Sequence, residues 1–501
     1  MTLPVLHTPQ EAARWLRTRV TGQLQADSRQ VRPGDGFIAW PGAATDGRRF
    51  VATALAQGAQ ACLVEREGAE AFGFENAAVA AYPQLKAGTS LVADAYYEHP
   101  SRALNMVAIT GTNGKTSTAW WVSDLLSKLK LPALSPCGLV GTLGTGVAPT
   151  VESTGMTTPD PVLLQRRLRE FAEAGVQSCA IEASSIGIAE HRLDGTAIRV
   201  AVFTNFTQDH LDYHGSMQAY WEAKEALFRW PGLQAAVINI DDPRGSELAE
   251  LAAGRGLAVW TVSLHQPARL RASDLRYGPD GLQWQVHEGE HTVSVTTPLV
   301  GDYNASNLMG VLGVLRALGV SLADAAAACQ GLRPVPGRLE RLDAPDAPMV
   351  LVDYAHTPDA LAKALGALRP LTVARGGKLW CVFGCGGNRD AGKRPLMAAA
   401  AEAAADALVI TSDNPRDEVP EAIIDQVLAG LSQRDAVQVE SDRAQAIRAA
   451  IRAATPQDVV LVAGKGHETY QEVRGERLPF SDVDQVKRSL AARIAAEGAR
   501  A

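Results

Sequence analysis

The chain has 501 residues, a formal net charge of -7 and a hydrophobic fraction of 46%. At about 150 residues per domain, this length predicts about three domains, each with enough apolar material for its own core. The acidic balance and the lack of a basic block argue against a nucleic-acid-binding protein, so we expect no nucleic-acid partner.

The cysteines and the apolar runs of the sequence indicate where in the cell the protein is located. The six cysteines, at positions 62, 137, 179, 329, 381 and 385, lack CxxC pairs and the density of a disulfide scaffold, so we predict reduced thiols. The start of the chain has no signal-peptide pattern, and no apolar run approaches the ~20 residues that span a bilayer. We therefore predict a cytoplasmic protein without membrane insertion.

The first segment, up to about Glu98, predicts a small α/β domain. Short apolar runs at Gly36–Trp40 and Ala61–Val64 are typical of strands, and Ala52–Gly58 is typical of a helix. His99-Pro100-Ser101 marks the expected exit from this domain.

The most specific motif follows the predicted strand Asn105–Thr110: Gly111-Thr112-Asn113-Gly114-Lys115-Thr116-Ser117. Two glycines let backbone N–H groups approach phosphate oxygens, the lysine neutralises terminal phosphates, and the Thr116 hydroxyl suits magnesium. The usual phosphate loop has a further glycine where this chain has Ile109. The motif predicts a shortened loop that binds a nucleoside triphosphate; the alternative is a plain glycine turn after a strand.

Further strands are predicted at Cys179–Ala183, Arg199–Thr204 and Ala236–Ile240, with helical stretches between them, which indicates βαβ units. Alternation in Gly281–Val286 and Thr292–Val295 predicts an antiparallel hairpin. A helix over Asn304–Leu318 follows. The central segment thus reads as a mostly parallel sheet.

Candidate metal ligands occur beside the phosphate loop. Thr116 and Glu182, which ends a strand, form a plausible magnesium site, since Mg²⁺ prefers oxygen ligands. The spacing of His210 and His214 could instead suggest zinc, but it lacks a cysteine partner, and paired structural histidines are the more common explanation. Lys224 lies on a predicted helix over Gln218–Phe228, where a lysine is ordinarily solvated.

Leu332–Gly337, with two prolines and a glycine, marks the next boundary. Predicted strands alternate with alanine-rich helices at Met397–Ala405 and Ala444–Ala454, which indicates a doubly wound sheet. The strands are Met349–Val352, Lys378–Phe383, Ala407–Ile410 and Val459–Ala463. The polar clusters Asp353–His356, Gly384–Arg389, Ser412–Arg416 and Gly464–Glu468 follow these strands. Because ligands bind at the carboxyl ends of such strands, we predict one crevice; ordinary turn residues are the alternative.

Taken together, the motifs resemble the Mur ligases, ATP-dependent amide-forming enzymes that build the peptide stem of peptidoglycan. The resemblance extends over nearly the whole chain. Its motifs are Asp27–Asp35, Asp46–Arg48, Thr110–Thr116, Glu182–Ser185, Asp209–His214, Gly301–Asn307, Pro336–Glu340, Val352–Asp359 and Asp413–Arg416. It implies a fold of three α/β domains: a small N-terminal domain (residues 1–98), a central P-loop ATPase-like domain with a mostly parallel sheet (99–337) and a C-terminal Rossmann-like doubly wound domain (338–501).

The resemblance implies roles at the ATP site. Lys224 would be carbamylated, which converts a cation into an oxygen-bearing anion and, with His210, provides ligands for a second Mg²⁺. Lys115, Lys224 and His210 would be the catalytic residues, with Thr116 and Glu182 at the first Mg²⁺. Asn304, Arg338, Asp353 and His356 match positions used for ATP, the arginine being contributed across a cleft.

The resemblance also implies a site for a UDP-muramoyl peptide. The residues that match are Ala26, Ser28, Ala43, Ala44, Thr45, Thr157, Thr158, Ser184, Glu190 and Arg192. This chain departs from the family pattern at Ile186 and Glu190, where histidine and glutamine are common. A glutamate beside an anionic substrate is unfavourable unless it is protonated or paired with a neighbouring arginine.

Within the family, the motifs are most similar to ligases that add meso-diaminopimelate as the third residue. Arg416 would supply a fork for the distal carboxylate of that amino acid, and Glu468 an acceptor for its ammonium. Arg389, Asp413, Asn414, Pro415 and Gly464 match the rest of the pocket.

The implied reaction phosphorylates the D-glutamyl carboxylate with ATP, and the diaminopimelate amine then attacks the acyl phosphate. We expect small-molecule substrates only and a monomer. Two alternatives are a ligase with a different acceptor, such as D-alanyl-D-alanine or folylpolyglutamate, and a nucleotide-dependent switch without ligase chemistry.

Overall fold

The computed structural model describes residues 3–42, 45–278 and 281–498. Ala43 and Ala44, both predicted to bind the UDP-muramoyl peptide, lie outside the described residues. Backbone contacts divide the chain into two compact units. The first runs to Ser273 and also contains Gln285–Val293 and Ser306–Cys329; the second contains Asp274–Trp284, Ser294–Ala305 and the chain from Gln330 onwards.

The N-terminal segment forms a four-stranded parallel sheet with an apolar core on each face. Its strands, in sheet order, are β1 (Leu24–Gln25), β2 (Gly36–Ala39), β3 (Ala61–Glu65) and β4 (Val79–Tyr82). Its helices are α1 (Pro9–Arg17), α2 (Val51–Ala56) and α3 (Leu85–Tyr96). The side chain of Thr8 caps α1 by accepting from the Glu11 N–H, at 3.1 Å.

The central segment contains an 11-stranded sheet in the order β15-β14-β13-β12-β11-β10-β5-β9-β6-β7-β8. Its strands are β5 (Asn105–Thr110), β6 (Cys137–Gly141), β7 (Gly144–Val147), β8 (Thr150–Glu152), β9 (Ser178–Glu182), β10 (Ile198–Phe203), β11 (Ala235–Asn239), β12 (Ala258–Ser263), β13 (Leu270–Gly278), β14 (Gly281–Glu288) and β15 (His291–Thr297). From β13 to β6 the pairs are parallel, and β6, β7 and β8 pair antiparallel. Strand β5, which lies between β10 and β9, is mostly apolar and is buried beyond its first residue, as expected for a parallel strand covered on both faces.

Helices join these strands and place their connecting loops at the carboxyl ends of the strands. They are α4 (Lys115–Leu129), α5 (Pro161–Glu173), α6 (Ser185–Ala189), α7 (Leu211–His214), α8 (Met217–Glu225), α9 (Gly245–Gly254), α10 (Asp302–Ala317) and α11 (Leu322–Ala328). Helix α5 begins where Asp160 caps the N–H groups of Val162 and Leu163, with proline at the first position.

The C-terminal segment forms a six-stranded sheet in the order β16-β17-β21-β18-β19-β20, with apolar clusters on both faces. Its strands are β16 (Glu340–Leu342), β17 (Met349–Asp353), β18 (Leu379–Phe383), β19 (Ala407–Ile410), β20 (Gln438–Val439) and β21 (Val459–Ala463). A separate hairpin pairs β22 (Tyr470–Val473) with β23 (Glu476–Pro479). The helices are α12 (Pro358–Arg375), α13 (Lys393–Ala404), α14 (Pro420–Leu428), α15 (Arg443–Ala453) and α16 (Asp482–Gly498).

The predicted fold class is confirmed, because the N-terminal and central sheets are all or mostly parallel and the C-terminal sheet is doubly wound. The two strands predicted at Gly281–Val286 and Thr292–Val295 correspond to the neighbouring strands β14 and β15, and β13 is a further strand beside β14 that was not predicted. Charged residues in Leu270–Gly278 interrupt the alternation of apolar and polar residues that identifies β14 and β15. The domain boundaries at residues 98 and 337 stay predictions.

Two further findings concern location and thiols. Among the described helices, none has the length and apolar character needed to cross a membrane. All six cysteines are free and buried, as predicted.

A buried ion pair supports the C-terminal sheet. Arg443 and Asp482 form two hydrogen bonds of 2.7 Å, and both side chains are fully buried. The same guanidinium donates to the carbonyls of Ser412 and Ala463, at 3.1 and 2.8 Å. Those carbonyls stand at the ends of β19 and β21, so the pair fixes the two strand ends that carry predicted ligand residues.

We predict that Arg443→Met lowers the free energy of unfolding by about 3–5 kcal/mol, because it leaves a buried carboxylate without its partner. Urea unfolding followed by circular dichroism measures this loss. The double variant Arg443→Met/Asp482→Leu should recover part of it, since no buried charge then remains unpaired. A single variant as stable as wild type would contradict the prediction.

Candidate active site

The predicted phosphate loop connects β5 to α4 and depends on its two glycines. Gly111 has φ of +146° and Gly114 has φ of +83°, values that favour glycine. A Cβ atom on Gly111 would stand 1.9 Å from the Thr204 Oγ1, and one on Gly114 would stand 2.3 Å from the Asn307 Oδ1. Both positions therefore require glycine for space as well as for conformation.

The loop is held by the segment that follows the neighbouring strand β10. The Asn113 N–H donates to Asn205 Oδ1 at 2.9 Å, and Thr204 Oγ1 donates to the Asn113 carbonyl at 2.6 Å. Thr112 Oγ1 donates to the Thr207 carbonyl at 3.0 Å. Ser117 is buried in the first turn of α4. These bonds hold the loop in a defined shape before any ligand binds.

Two lysines converge on one carbonyl of the loop. Lys115 Nζ donates to the Gly111 and Thr112 carbonyls at 2.9 and 2.8 Å, and Lys224 Nζ donates to the Gly111 carbonyl at 2.8 Å. Lys224 is only 1% exposed, so the ordinary case of a solvated lysine does not apply. Burial, and then the charge of Lys115, lower the pKa of Lys224 well below its usual value. The neutral amine is the form that can react with an electrophile.

Glu182 is the hub of the predicted first metal site. Thr116 Oγ1 donates to its Oε2 at 2.9 Å, and the Thr142 N–H donates to its Oε1 at 2.8 Å. A Cβ atom on Gly141 would stand 2.2 Å from Oε1, so glycine leaves the carboxylate its room. Among the described residues, no group of three or more His, Cys, Asp or Glu could hold a metal. A cation here must take other ligands, which suits Mg²⁺ with water and phosphate oxygens.

The two histidines of the Asp209–His214 motif both lie beside the Tyr220 ring, which is 5.2 Å from the His214 ring, but they differ in their polar contacts. His210 has φ of +51°, a left-handed conformation unusual for histidine, and its ring lies 6.0 Å from the Tyr220 ring. Lys224 Nζ lies 4.3 Å from the same ring, so His210 and Lys224 both flank Tyr220. His214 Nε2 instead lies 3.0 Å from Ser185 Oγ. The zinc interpretation therefore finds no paired ligand set among the described residues.

The predicted muramoyl-peptide residues of the central segment form a hydrogen-bonded cluster. Thr158 Oγ1 lies 2.9 Å from Ser184 Oγ and donates to the Glu182 carbonyl at 2.7 Å. Arg192 Nη1 donates to the Thr158 carbonyl at 2.8 Å. Thr157 Oγ1 lies 3.0 Å from Thr142 Oγ1. The cluster therefore reaches the Glu182 carboxylate through Thr142 and the Glu182 backbone carbonyl through Thr158.

Glu190 is paired, but with a lysine and not with the expected arginine. Lys86 of α3 forms an ion pair with it at 2.6 Å, and Tyr213 Oη donates to it at 2.5 Å. Burial raises the pKa of Glu190, but the bonds from Lys86 and Tyr213 outweigh burial, so the pKa lies below its ordinary value. Glu190 therefore pairs directly with Lys86, a cation that α3 brings from a distant part of the sequence, and the charge of the neighbouring Arg192 also lowers its pKa. Ile186 lies within α6.

The N-terminal candidates lie in loops after two adjacent strands. Ala26 and Ser28 follow β1, and Thr45 follows β2, which pairs with β1. Asp27 caps the turn that contains Ser28. The carboxyl ends of parallel strands meet at one sheet edge, so this placement suits a common ligand.

In the second unit, Asp353 organises the residues predicted to contact ATP. Its Oδ2 accepts from the Leu339 N–H at 2.7 Å and its Oδ1 from the Ala355 N–H at 2.8 Å. The Arg338 guanidinium lies 4.5 Å from the Tyr354 ring. Exposed His356 lies 4.8 Å, ring to ring, from Tyr354, whereas Asn304 is buried and donates to the Val300 carbonyl. Arg338 and His356 therefore share one aromatic neighbour.

The strand ends of the C-terminal sheet meet as predicted. The Gly464 N–H donates to the Asp353 carbonyl at 3.0 Å, and Asn414 Nδ2 donates to Glu468 Oε2 at 2.9 Å. Arg416 has φ of +53°, donates to the Gly387 carbonyl and reaches Glu472 Oε2 at 3.3 Å. Left-handed backbone costs about 1–2 kcal/mol outside glycine, so the fold holds Arg416 against strain.

The two remaining candidates border this cluster. Pro415 is buried, with its carbonyl against Gly387. Arg389 is exposed, and the hydrogen bond described for its guanidinium is 3.4 Å long, to the Asn388 carbonyl.

Several residues of these sites were missed by the sequence analysis. They are Thr142, Asn205, Asn307, Lys465 and Glu472. Thr142 and Asn205 each lie just beyond a buried strand, so the strand-end pattern that identified Glu182 could have found them. Lys465 lies inside the Gly464–Glu468 motif but is unremarkable without its buried surroundings. Glu472 lies on the hairpin that alternation did not reveal.

Comparison with known proteins agrees with this geometry. Three family models match in order: the Mur ligase family catalytic domain over residues 22–105, the Mur ligase middle domain over 109–315 and the Mur ligase glutamate ligase domain over 337–466. The chain belongs to the Mur ligase family. Its three-domain α/β fold with parallel sheets is the fold of that family.

Individual relatives cover nearly the full length. A UDP-N-acetylmuramoyl-L-alanyl-D-glutamate--2,6-diaminopimelate ligase from Acidovorax sp. (strain JS42) is 59% identical over 98% of this chain and 99% of its own length. A solved structure of a ligase of that name has a TM-score of 0.67 at 35% identity, covering 94% of this chain and 95% of its own. The MurF ligase from Thermotoga maritima, in complex with ADP, has a TM-score of 0.64 at 19% identity, covering 95% and 99%, and shows the shared fold alone.

We predict that Glu190→Gln slightly destabilises the protein at neutral pH and less so in acid. Because the pKa of Glu190 is lower in the folded state than in the unfolded chain, the ion pair stabilises fully above the unfolded-state pKa and loses its effect as the pH falls through the folded-state pKa. The pair is partly exposed, so the difference at pH 7 should be under about 1 kcal/mol. Urea unfolding of the wild type and of Glu190→Gln, from pH 7 into the acid range, measures the difference in the free energy of unfolding. A difference that grows in acid would contradict the assigned ion pair between Glu190 and Lys86.

Proposed function

We propose that this chain is an ATP-dependent ligase that adds meso-diaminopimelate to UDP-N-acetylmuramoyl-L-alanyl-D-glutamate in peptidoglycan synthesis. The cluster of Arg416, Asn414 and Glu468 at the strand ends carries the proposal, because it offers a cation, an amide and a carboxylate acceptor at the same strand ends. The near full-length identity to a ligase of that name supports it.

In the first step, the D-glutamyl carboxylate attacks the γ-phosphorus of ATP. An O–P bond forms, the bond to the β,γ-bridging oxygen breaks, and ADP leaves behind an acyl phosphate. Lys115 would neutralise charge on the transferring group, and the N–H groups of residues 111–117 would surround the phosphates. The rigid loop presets these donors, so little reorganisation accompanies the transfer.

We assign magnesium to two places, and the residues fit it. Thr116 and Glu182 would hold one ion, while His210 and a carbamylated Lys224 would hold the second. Bound Mg²⁺ would offset negative charge on the phosphates. Carbamylation forms a bond between Lys224 Nζ and the carbon of CO₂ and releases one proton, and it requires the neutral amine that burial favours.

In the second step, the diaminopimelate amine attacks the acyl carbon. The tetrahedral intermediate loses the proton of the attacking amine to solvent and expels phosphate as its C–O bond breaks, leaving the amide. Arg416 would bind the distal carboxylate, with Glu468 and Asp413 accepting from the distal ammonium. Arg389, Pro415 and the backbone at Gly464 would line the same pocket, while Asn304, Arg338, Asp353 and His356 would contact ATP.

The UDP-muramoyl peptide would bind across the N-terminal and central segments of the first unit. Ala26, Ser28, Ala43, Ala44 and Thr45 would contact the uridine end, and Thr157, Thr158, Ser184, Glu190 and Arg192 the peptide end. We propose that the enzyme acts as a monomer in the cytoplasm, where ATP is supplied.

A ligase with another acceptor is the second candidate. Structures of MurF ligases and of Mycobacterium tuberculosis folylpolyglutamate synthase share the fold at 18–21% identity, which does not transfer their acceptors. The Asp413–Arg416 motif favours diaminopimelate, because an arginine fork matches a distal carboxylate.

We predict that purified protein releases phosphate from ATP only when UDP-muramoyl-L-alanyl-D-glutamate and meso-diaminopimelate are both present. Replacing the amino acid by lysine, glutamate or D-alanyl-D-alanine should lower the rate strongly, because each lacks part of the zwitterionic distal end. Arg416→Ala should raise the KM for diaminopimelate by roughly 10–100-fold, the value of a hydrogen bond to a charged group, while the KM for ATP stays near wild type.

Exposed Arg448 on α15 offers the matched control, and Arg448→Ala should behave as wild type. Equal rates with lysine and diaminopimelate in the wild-type enzyme would overturn the assigned substrate. Unchanged selectivity in Arg416→Ala would overturn the role of Arg416 only.

We predict that Lys224→Met nearly abolishes phosphate release, as do Lys115→Ala and His210→Ala. Carbamylation adds a second signature: the wild-type rate should fall in CO₂-depleted buffer and recover with bicarbonate. The control Lys363→Met removes an exposed lysine from a surface ion pair and should keep both the rate and the bicarbonate response. Wild-type rates in Lys224→Met would contradict the assignment.

A further inference from the structure

Lys465 is a fully buried cation within the proposed amino-acid site, and the reaction outlined above assigns it no role. Its side chain has no exposed surface, and it lies three residues before Glu468 on the loop after β21. A buried lysine beside a pocket for an ammonium group calls for explanation, since like charges repel.

The contacts of Lys465 account for its position. Its Nζ donates to Asn414 Oδ1 and to Glu468 Oε2, both at 2.9 Å, and lies 3.6 Å from Asp413 Oδ1. The ammonium group therefore contacts three residues that the proposed function places around diaminopimelate. Its bond to Asn414 Oδ1 also orients that amide so that Nδ2 points at Glu468.

The charges of this cluster do not cancel. Asp413 and Glu468 carry two negative charges and Lys465 one positive charge, so a net charge of one negative remains. Of the neighbouring cations, Arg443 pairs with Asp482 and Arg416 with Glu472, while Arg338 lies over the Tyr354 ring and Lys393 donates to the His356 carbonyl. A buried excess negative charge is costly unless a cation joins it.

One acceptor of the cluster is open. Asp413 is 7% exposed, and its buried Oδ1 has no hydrogen-bond partner within the described part of the chain. Buried carboxylate oxygens without a donor are rare, and each one needs an explanation. A single ammonium group bound at this oxygen would supply both the missing donor and the missing charge.

We propose that Lys465 is a positioning residue that sets the charge and the geometry of the subsite for the distal ammonium of the amino-acid substrate. By donating to one oxygen of Glu468 and to the side-chain amide oxygen of Asn414, it holds both groups in place beside Asp413 Oδ1, which can then accept from one monocation. This inference rests on the proposed function and deepens it.

A purely structural lysine, which only ties two loops together, is the rival explanation. In that case, loss of Lys465 would destabilise the fold or weaken the binding of all three substrates alike. Under our proposal, loss of the charge leaves two neighbouring carboxylates whose protons compete, and one of them acquires a raised pKa. Binding of diaminopimelate then becomes dependent on pH in a range where the wild type is insensitive.

The test measures phosphate release by the full-length enzyme with UDP-muramoyl-L-alanyl-D-glutamate, ATP and meso-diaminopimelate. The KM for each substrate is measured between about pH 6 and pH 8. An ordinary carboxylate is ionised throughout this range. The variants are Lys465→Met, Glu468→Gln, their double variant and the control Lys363→Met, each with a thermal unfolding curve. Lys465→Gln replaces Lys465→Met if the latter does not fold.

We expect Lys465→Met to raise the KM for diaminopimelate about tenfold or more, as for a lost charged hydrogen bond, with the KM for ATP within about twofold. That KM should also vary with pH. The double variant should lose the pH dependence and bind diaminopimelate no worse than Lys465→Met, because only one carboxylate remains.

Three outcomes would overturn the proposal: an unchanged KM for diaminopimelate, an equal rise in KM for all three substrates, or purely additive effects without pH dependence. Failure of the wild-type enzyme to use diaminopimelate would instead overturn the proposed function. The two failures are therefore distinguishable.

Discussion

At the ends of the strands, backbone N–H and C=O groups have no partner within the sheet and must be hydrogen-bonded by side chains. The side chains that form these hydrogen bonds also build the sites. Where β9 ends, Glu182 accepts the Thr142 N–H. Where β17 ends, Asp353 accepts two N–H groups, and where β19 and β21 end, Arg443 donates to two carbonyls. Since unpaired buried groups cost free energy, these polar side chains are held in place before any ligand arrives.

This constraint explains why much of the fold and part of each site could be predicted from the sequence. Apolar runs ending in polar residues identified β5, β9, β10 and β17 together with Glu182, Asp353 and the phosphate loop. Such a pattern is local, because strand and loop are adjacent in the chain. The roles of Lys224 and His210 came from family resemblance, since nothing in their neighbouring residues indicates them.

What could not be predicted depends on contacts between distant segments. Lys86 reaches Glu190 from α3, and burial of Lys224 arises from packing of α8 against the phosphate loop. Lys465 looks like any loop lysine until Asp413, Asn414 and Glu468 surround it. Charge balance is a property of the assembled cluster, whereas sequence patterns report one segment at a time.

The β22–β23 hairpin has a consequence for how the amino-acid pocket can change. Gln471 donates to the Asp413 carbonyl, the Glu472 N–H donates to Asn414 Oδ1, and Arg416 and Val473 form an isolated bridge. Two short stretches of chain, 413–416 and 464–473, therefore contain most of the polar contacts of this pocket. Acceptor preference could diverge among relatives, or be transplanted between them, by exchanging these two stretches while the sheets and the phosphate loop remain unaltered.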